Sequence, residues 1–165
     1  MIAPSQRSIT NCRSWGDRMT THITAMTYPP KIEAVKSGEC RQTTRIYNEK
    51  NPFKVDDFIL IHGWEGRPYH SRWDWRRPKE PITQVIDLIA LEHTATFCQN
   101  PITGKYIGTG SLKTLSLPWH DDVMDELARL DGIVPATGLE YKSVLEGFHG
   151  QFAKYIPIRF QVTRW

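Results

Sequence analysis

The stretch Gly38-Glu39-Cys40-Arg41-Gln42-Thr43-Thr44-Arg45, followed after one loop by Val55-Asp56-Asp57-Phe58-Ile59-Leu60-Ile61, constrains the fold more than any other part of the chain. Just upstream, Pro30 suits the first turn of a helix in which Ile32 and Val35 face inward, and Gly38 stops that helix. Residues 42–47 are β-branched and aromatic enough for a strand, residues 48–52 make a turn, and residues 58–62 are a nearly continuous apolar run, the pattern of a buried strand. A short helix delivered directly into consecutive strands points to a mixed, strand-rich domain.

The remaining segments agree. Residues 20–27 alternate as a strand, which Tyr28-Pro29-Pro30 breaks. Residues 64–81 read as a long, proline-bearing aromatic loop, and residues 82–97 as one long strand with room for a bend. Gln99-Asn100-Pro101 with Thr103-Gly104 marks a hairpin turn before a strand over residues 105–117, so those two strands pair antiparallel. Pro118 and His120-Asp121-Asp122 lead into a helix with the apolar stripe Val123, Leu127 and Leu130, stopped by Gly132. A second helical piece is expected over residues 148–155. Ile156, Ile158, Phe160 and Val162 then alternate with Pro157, Arg159, Gln161 and Thr163 as a half-buried closing strand. Short antiparallel strands with helices early and late argue α+β with a curved or closed sheet.

At 165 residues the chain has the length of one ordinary domain. Residues 1–19 carry three arginines without the apolar core of a secretory signal and read as a flexible leader, leaving residues 20–165 as the domain. A composition of 39% hydrophobic and 24% charged residues fits neither disorder nor a membrane span. Cys12, Cys40 and Cys98 are odd in number, widely spaced and free of any C-x-x-C pair, so no disulfide framework or structural zinc is indicated, and a reducing cytoplasmic setting fits.

The runs over residues 38–45 and 55–61 resemble the signature of the ASCH family. Gly38, Thr43 and Arg45 match its G-x-K-x-x-T-x-R run, and Val55-Asp56-Asp57 stands where the family has V-G-D. A third anchor runs from Leu130-Asp131-Gly132 through Glu146-Gly147-Phe148 to the final strand, so the similarity covers the chain from about Met19 onward. The resemblance implies a small PUA-like antiparallel β-barrel with short flanking helices and a cleft suited to RNA or nucleosides. In the branch that hydrolyses N4-acetylcytidine, a Lys acts with a Thr three residues on, a distant Glu and a nearby Arg; the matching positions are Cys40, Thr43, Glu146 and Arg45. Cys40 therefore removes the activating amine, and it takes part in catalysis only if Arg41 and Arg45 stabilise its thiolate. The plainer reading has Thr43 and Arg45 bonding within the barrel and Glu146 capping the next helix. Asp56 in place of glycine predicts a different turn conformation.

Trp64 to Arg77 is the second constellation. Trp64, Tyr69, Trp73 and Trp75 offer faces for unpaired bases, and Arg67, Arg72, Arg76 and Arg77 offer cations for phosphates, with Arg41 and Arg45 nearby in the signature. Residues 64–79 hold five cations against Glu65 and Asp74, an excess equal to the whole net charge of +3. The packing alternative has the tryptophans anchoring a loop while the arginines extend into water. His62, His70 and His120-Asp121-Asp122 lack ligand spacing, so no metal and no cofactor are assigned. Three functions remain open: binding of RNA, single-stranded nucleic acid or a modified nucleoside; hydrolysis of an acylated cytidine or of RNA; and a protein-interaction module.

Overall fold

Short β-branched segments punctuated by proline and glycine account for most of the architecture. A computed structural model describes residues 18–107, 114–119, 121–132 and 157–165. Its strands fall into two sheets. The first contains β1 (Thr21–Ala25), β3 (Phe58–Trp64), β4 (Trp73–Arg76) and β5 (Glu80–Pro81), and the second runs in the order β2 (Gln42–Ile46), β9 (Ile158–Arg164), β6 (Gln84–Ala90), β7 (Thr94–Phe97), β8 (Leu115–Pro118). Two helices, α1 (Pro29–Ser37) and α2 (Asp122–Leu130), complete the described elements. The fold is α+β, and no barrel closes among the described residues. β1 also lies parallel to β3, with Ile23 opposite Leu60, because the chain crosses through α1 and β2 before returning.

α1 forms as expected. Prolines occupy its first turn, and Gly38 ends it in the left-handed region at φ 85°, its amide donating to the Val35 carbonyl. Arg77 supplies a second cap, its Nη1 donating to the Val35 and Lys36 carbonyls at 2.9 and 3.0 Å. Asp121 caps α2 by accepting from the Val123 amide, and Met124, Leu127 and Ala128 form its buried face. That face packs on Ile86, Leu88, Phe160 and Val162 of the second sheet. Met26, Val35, Ile59, Ile61, Ile82 and Trp165 fill a second cluster, with Val85 and Trp75 against it.

Several expected elements differ. Residues 64–81 contain β4 and β5, which together line one edge of β3 as a single interrupted strand, broken at Pro78 where no ladder amide is available. Residues 82–97 are two strands, with Ala90 opposite Ala95, and their turn of Leu91-Glu92-His93 carries no glycine, proline or asparagine to announce it. β9 is central, paired with both β2 and β6 and covered on both faces, so Phe160, Gln161, Val162 and Thr163 are all buried instead of alternating. Asp56 keeps the left-handed conformation at φ 72° that a glycine would supply. The turn is tied down by Asp57, which accepts from the Thr20 amide at 2.8 Å and lies 2.9 Å from His22 Nε2. The helix expected over residues 148–155, Glu146, and most of the leader lie outside the described residues.

Gly63 permits the irregularity that shapes the first sheet. Between the pairs His62/Arg76 and Trp64/Trp73, β4 carries one residue more than β3, and Trp75 lies over Gly63. A Cβ on Gly63 would collide with the Trp75 indole at Nε1. Gly63→Ala is accordingly expected to cost about 1–3 kcal/mol by overpacking, read as a lower urea midpoint; an unchanged midpoint would mean that Trp75 is free to move aside.

Candidate functional site

Along β3 the side chains alternate between two surfaces. Ile59, Ile61 and Gly63 face the buried cluster and Trp75, while Phe58, Leu60, His62 and Trp64 take the opposite side. Across the bulge, β4 adds Trp73 opposite Trp64 and Arg76 opposite His62. An aromatic group results. The Trp73 and His62 rings stack with centroids 4.1 Å apart and planes at 18°, Trp64 meets His62 edge-on at 4.8 Å, and Tyr69 lies 5.4 Å from Trp64. Trp73 is 39% exposed and Tyr69 is 83% exposed. The indole Nε1 of Trp64 is buried without a hydrogen-bond partner among the described residues.

Cations rim this group. Arg67, Arg72 and Arg76 are exposed. Arg72 lies 3.5 Å from Glu65, a solvent-facing pair of the kind that contributes little and exchanges partners easily. The signature strand reaches the same place: Arg45 donates from Nη2 to the Ala25 carbonyl at 2.5 Å and from Nε to Thr43 Oγ1 at 3.3 Å, and it is within electrostatic reach of Tyr69. Burial draws the Arg45 pKa down, against Asp131 and Tyr69, yet a guanidinium stays protonated.

The other sequence candidates are placed elsewhere. Trp75 is half-buried against the inter-sheet cluster, with Lys36 above its ring at 5.5 Å. Arg77 caps α1 and pairs with Glu80 at 2.8 Å, and Arg41 reaches the same Glu80 at 2.6 Å. Both are thereby tied to the scaffold. Thr43 is buried beside Thr163, whose hydroxyl is buried without a partner among the described residues. Cys40 is buried with its sulfur against the carbonyls of Gln42 (3.4 Å) and Leu130 (3.6 Å). Burial pushes the Cys40 thiol up, and the pull of Lys31 only partly offsets it, so the thiol is held protonated. Neither Cys40 nor Thr43 lines an open surface, and their mapped partner Glu146 is outside the described residues.

Two buried residues were not singled out from sequence as structural or site elements. His62, set aside as a poor metal ligand, is the floor on which Trp73 stacks. Lys31 is buried beside Cys40 and pairs with Asp131 at 3.0 Å. For His62 the signal was available in the alternation of β3; for Lys31 there was none. No group of metal-ligating side chains occurs among the described residues, and no helix among them is long and apolar enough to cross a membrane. No family model, curated protein or solved structure matches the chain.

Proposed function

We propose that this is an ASCH-type domain of PUA-like fold that binds RNA, single-stranded nucleic acid or a modified nucleoside on Trp64, Tyr69 and Trp73, which pack over the buried His62, with Arg67, Arg72 and Arg76 meeting phosphate and Arg45 bracing the site from the signature strand. Two sheets sharing a buried cluster, a short helix entering the signature strand and a second helix on the far sheet are what support the PUA-like reading. The observation that carries the binding reading is Tyr69, which is 83% exposed and held at φ 64°, a conformation bulky residues rarely adopt. Burial does not account for it, since little of the side chain is buried. A role in presenting a face to a ligand does, because strained backbone concentrates at such sites.

Hydrolysis of an acylated cytidine through the Cys40 thiol is disfavoured, because that thiol is enclosed and burial pushes its pKa up. Binding is tested by titrating labelled oligouridylate octamer across a salt series. Wild type is expected to bind with a negative slope of log affinity against log salt, and Arg67→Ala/Arg72→Ala/Arg76→Ala is expected to flatten that slope by about 2, at roughly 0.7 for each phosphate no longer neutralised. Equal affinity and slope in a triple variant with native circular dichroism would remove these arginines from the site.

A further inference from the structure

The aromatic group sits at one end of a longer surface. From Trp64 the outer face of β3 continues past His62, which is itself buried beneath Trp73, to half-buried Leu60 and Phe58, six residue steps or about 20 Å. Ile23, the register partner of Leu60, is 62% exposed beside it. At the far end Lys79 lies over the Phe58 ring, its Nζ 4.2 Å from the centroid and 3.4 Å from Thr21 Oγ1. Neither described helix occupies this side, since α1 buries Val35 in the inter-sheet cluster and α2 packs on the second sheet.

We infer that a single strand of nucleic acid runs along this whole face, from Tyr69 and Trp73 to Phe58, with Lys79 holding a phosphate at the far end. The inference rests on the binding reading above and extends it to a longer occupant. A sheet face carrying spaced aromatic side chains accommodates two or three stacked bases, and this one places Trp73 and Phe58 at opposite ends with apolar Leu60 and Ile23 between them. Charge selects the occupant. Arg67, Arg72, Arg76 and Lys79 are exposed along this surface and its loop, with Glu65 and Asp74 the acidic residues of the same segment. A second copy of the chain docking through a two-fold axis would set that cationic patch against itself, whereas a polyanion is attracted to it. The contact of Lys79 with Phe58 is a weak one at an exposed site, so the ammonium is free to move to phosphate while a base takes its place on the ring.

Oligouridylates of two, three, four, six and eight nucleotides provide the test. Affinity is expected to climb beyond the trimer. With the hexamer, Phe58→Leu should weaken binding at least about fivefold through loss of a stacking face, and Lys79→Ala should flatten the salt slope by about 0.7; with the dimer, both variants should match wild type. Where Phe58→Leu fails to fold, Lys79→Ala decides alone, because Lys79 is exposed. Hexamer binding that falls in Trp73→Ala but is untouched by both Phe58→Leu and Lys79→Ala would end the track at the loop and leave the binding reading standing. Absence of wild-type binding at every length would overturn both. A concentration-dependent dimer in sedimentation, abolished by Ile23→Lys, would assign the face to a second copy and overturn the inference.

Discussion

Lys31→Met is expected to destabilise the protein by about 3–5 kcal/mol, because it strips the partner from a buried carboxylate. Lys31 is only 4% exposed, and its ammonium lies 3.0 Å from Asp131 Oδ2, while Thr44 Oγ1 donates to the other oxygen at 3.2 Å. These contacts join α1, β2 and the C-cap of α2, so the pair fixes elements far apart in sequence. Against the 5–15 kcal/mol typical of a domain this is a large fraction. The double variant Lys31→Met/Asp131→Leu should recover most of the loss, since a buried pair replaced by apolar groups is often near neutral. Burial pushes the Asp131 carboxyl up, and Lys31 is the largest pull in the opposite direction. Without Lys31 the folded-state pKa rises further above its unfolded value. Stability tied to a raised pKa is present in full below the unfolded value and is lost as pH rises through the folded one. The deficit of Lys31→Met relative to wild type should therefore be smaller at pH 4 than at pH 7 in urea unfolding. An equal deficit at both pH values would show that Asp131 does not titrate in this window, and a deficit under 1 kcal/mol would show the pair to be solvated.

What was legible in the sequence was local. Pro29, Pro30 and Gly38 bound α1 through backbone preferences that need no tertiary partner, and Asp121 and Gly132 do the same around α2. The strands β2 and β3 followed from side-chain composition. Features set by neighbours were not legible. β9 alternates polar and apolar residues as a half-exposed strand would, yet Gln161 is buried and bonded to the Phe53 backbone because sheet and helix cover both its faces. The hairpin between β6 and β7 was hidden because its turn residues carry no distinctive conformational preference. Asp56 shows the reverse error: a change of residue type suggested a changed turn, but Asp tolerates left-handed geometry when its neighbour Asp57 anchors the segment. The candidate site was half legible. Composition marked the loop as cationic and aromatic, but composition cannot separate Arg77, whose guanidinium caps a helix, from Arg76, which lies on the open face opposite His62. Nor does it distinguish the two tryptophans of Trp73-Asp74-Trp75.

Those two tryptophans give the sharpest contrast. The bulge in β4 sends Trp75 toward the inter-sheet cluster and leaves Trp73 outside, stacked on His62. Trp75→Ala should cost about 3 kcal/mol, the low end for removing a large aromatic from a core, because this indole is only half-buried. Its effect on nucleic-acid affinity, measured on the fraction that remains folded, should be small. Trp73→Ala should do the opposite: stability changes by about 1 kcal/mol, the value of one ring stack near the surface, whereas affinity for an oligouridylate octamer falls roughly five- to a hundredfold. The salt slope should be unchanged, because stacking releases few counterions. This last point separates a stacking residue from one that merely supports the arginines, since displaced arginines would flatten the slope as well. If Trp73→Ala instead unfolds the protein while Trp75→Ala abolishes binding, the bulge points the other way and the aromatic group is part of the core. If Trp73→Ala binds as tightly as wild type, the stack on His62 serves packing alone, and Tyr69 would be left without the neighbours that make its exposure useful.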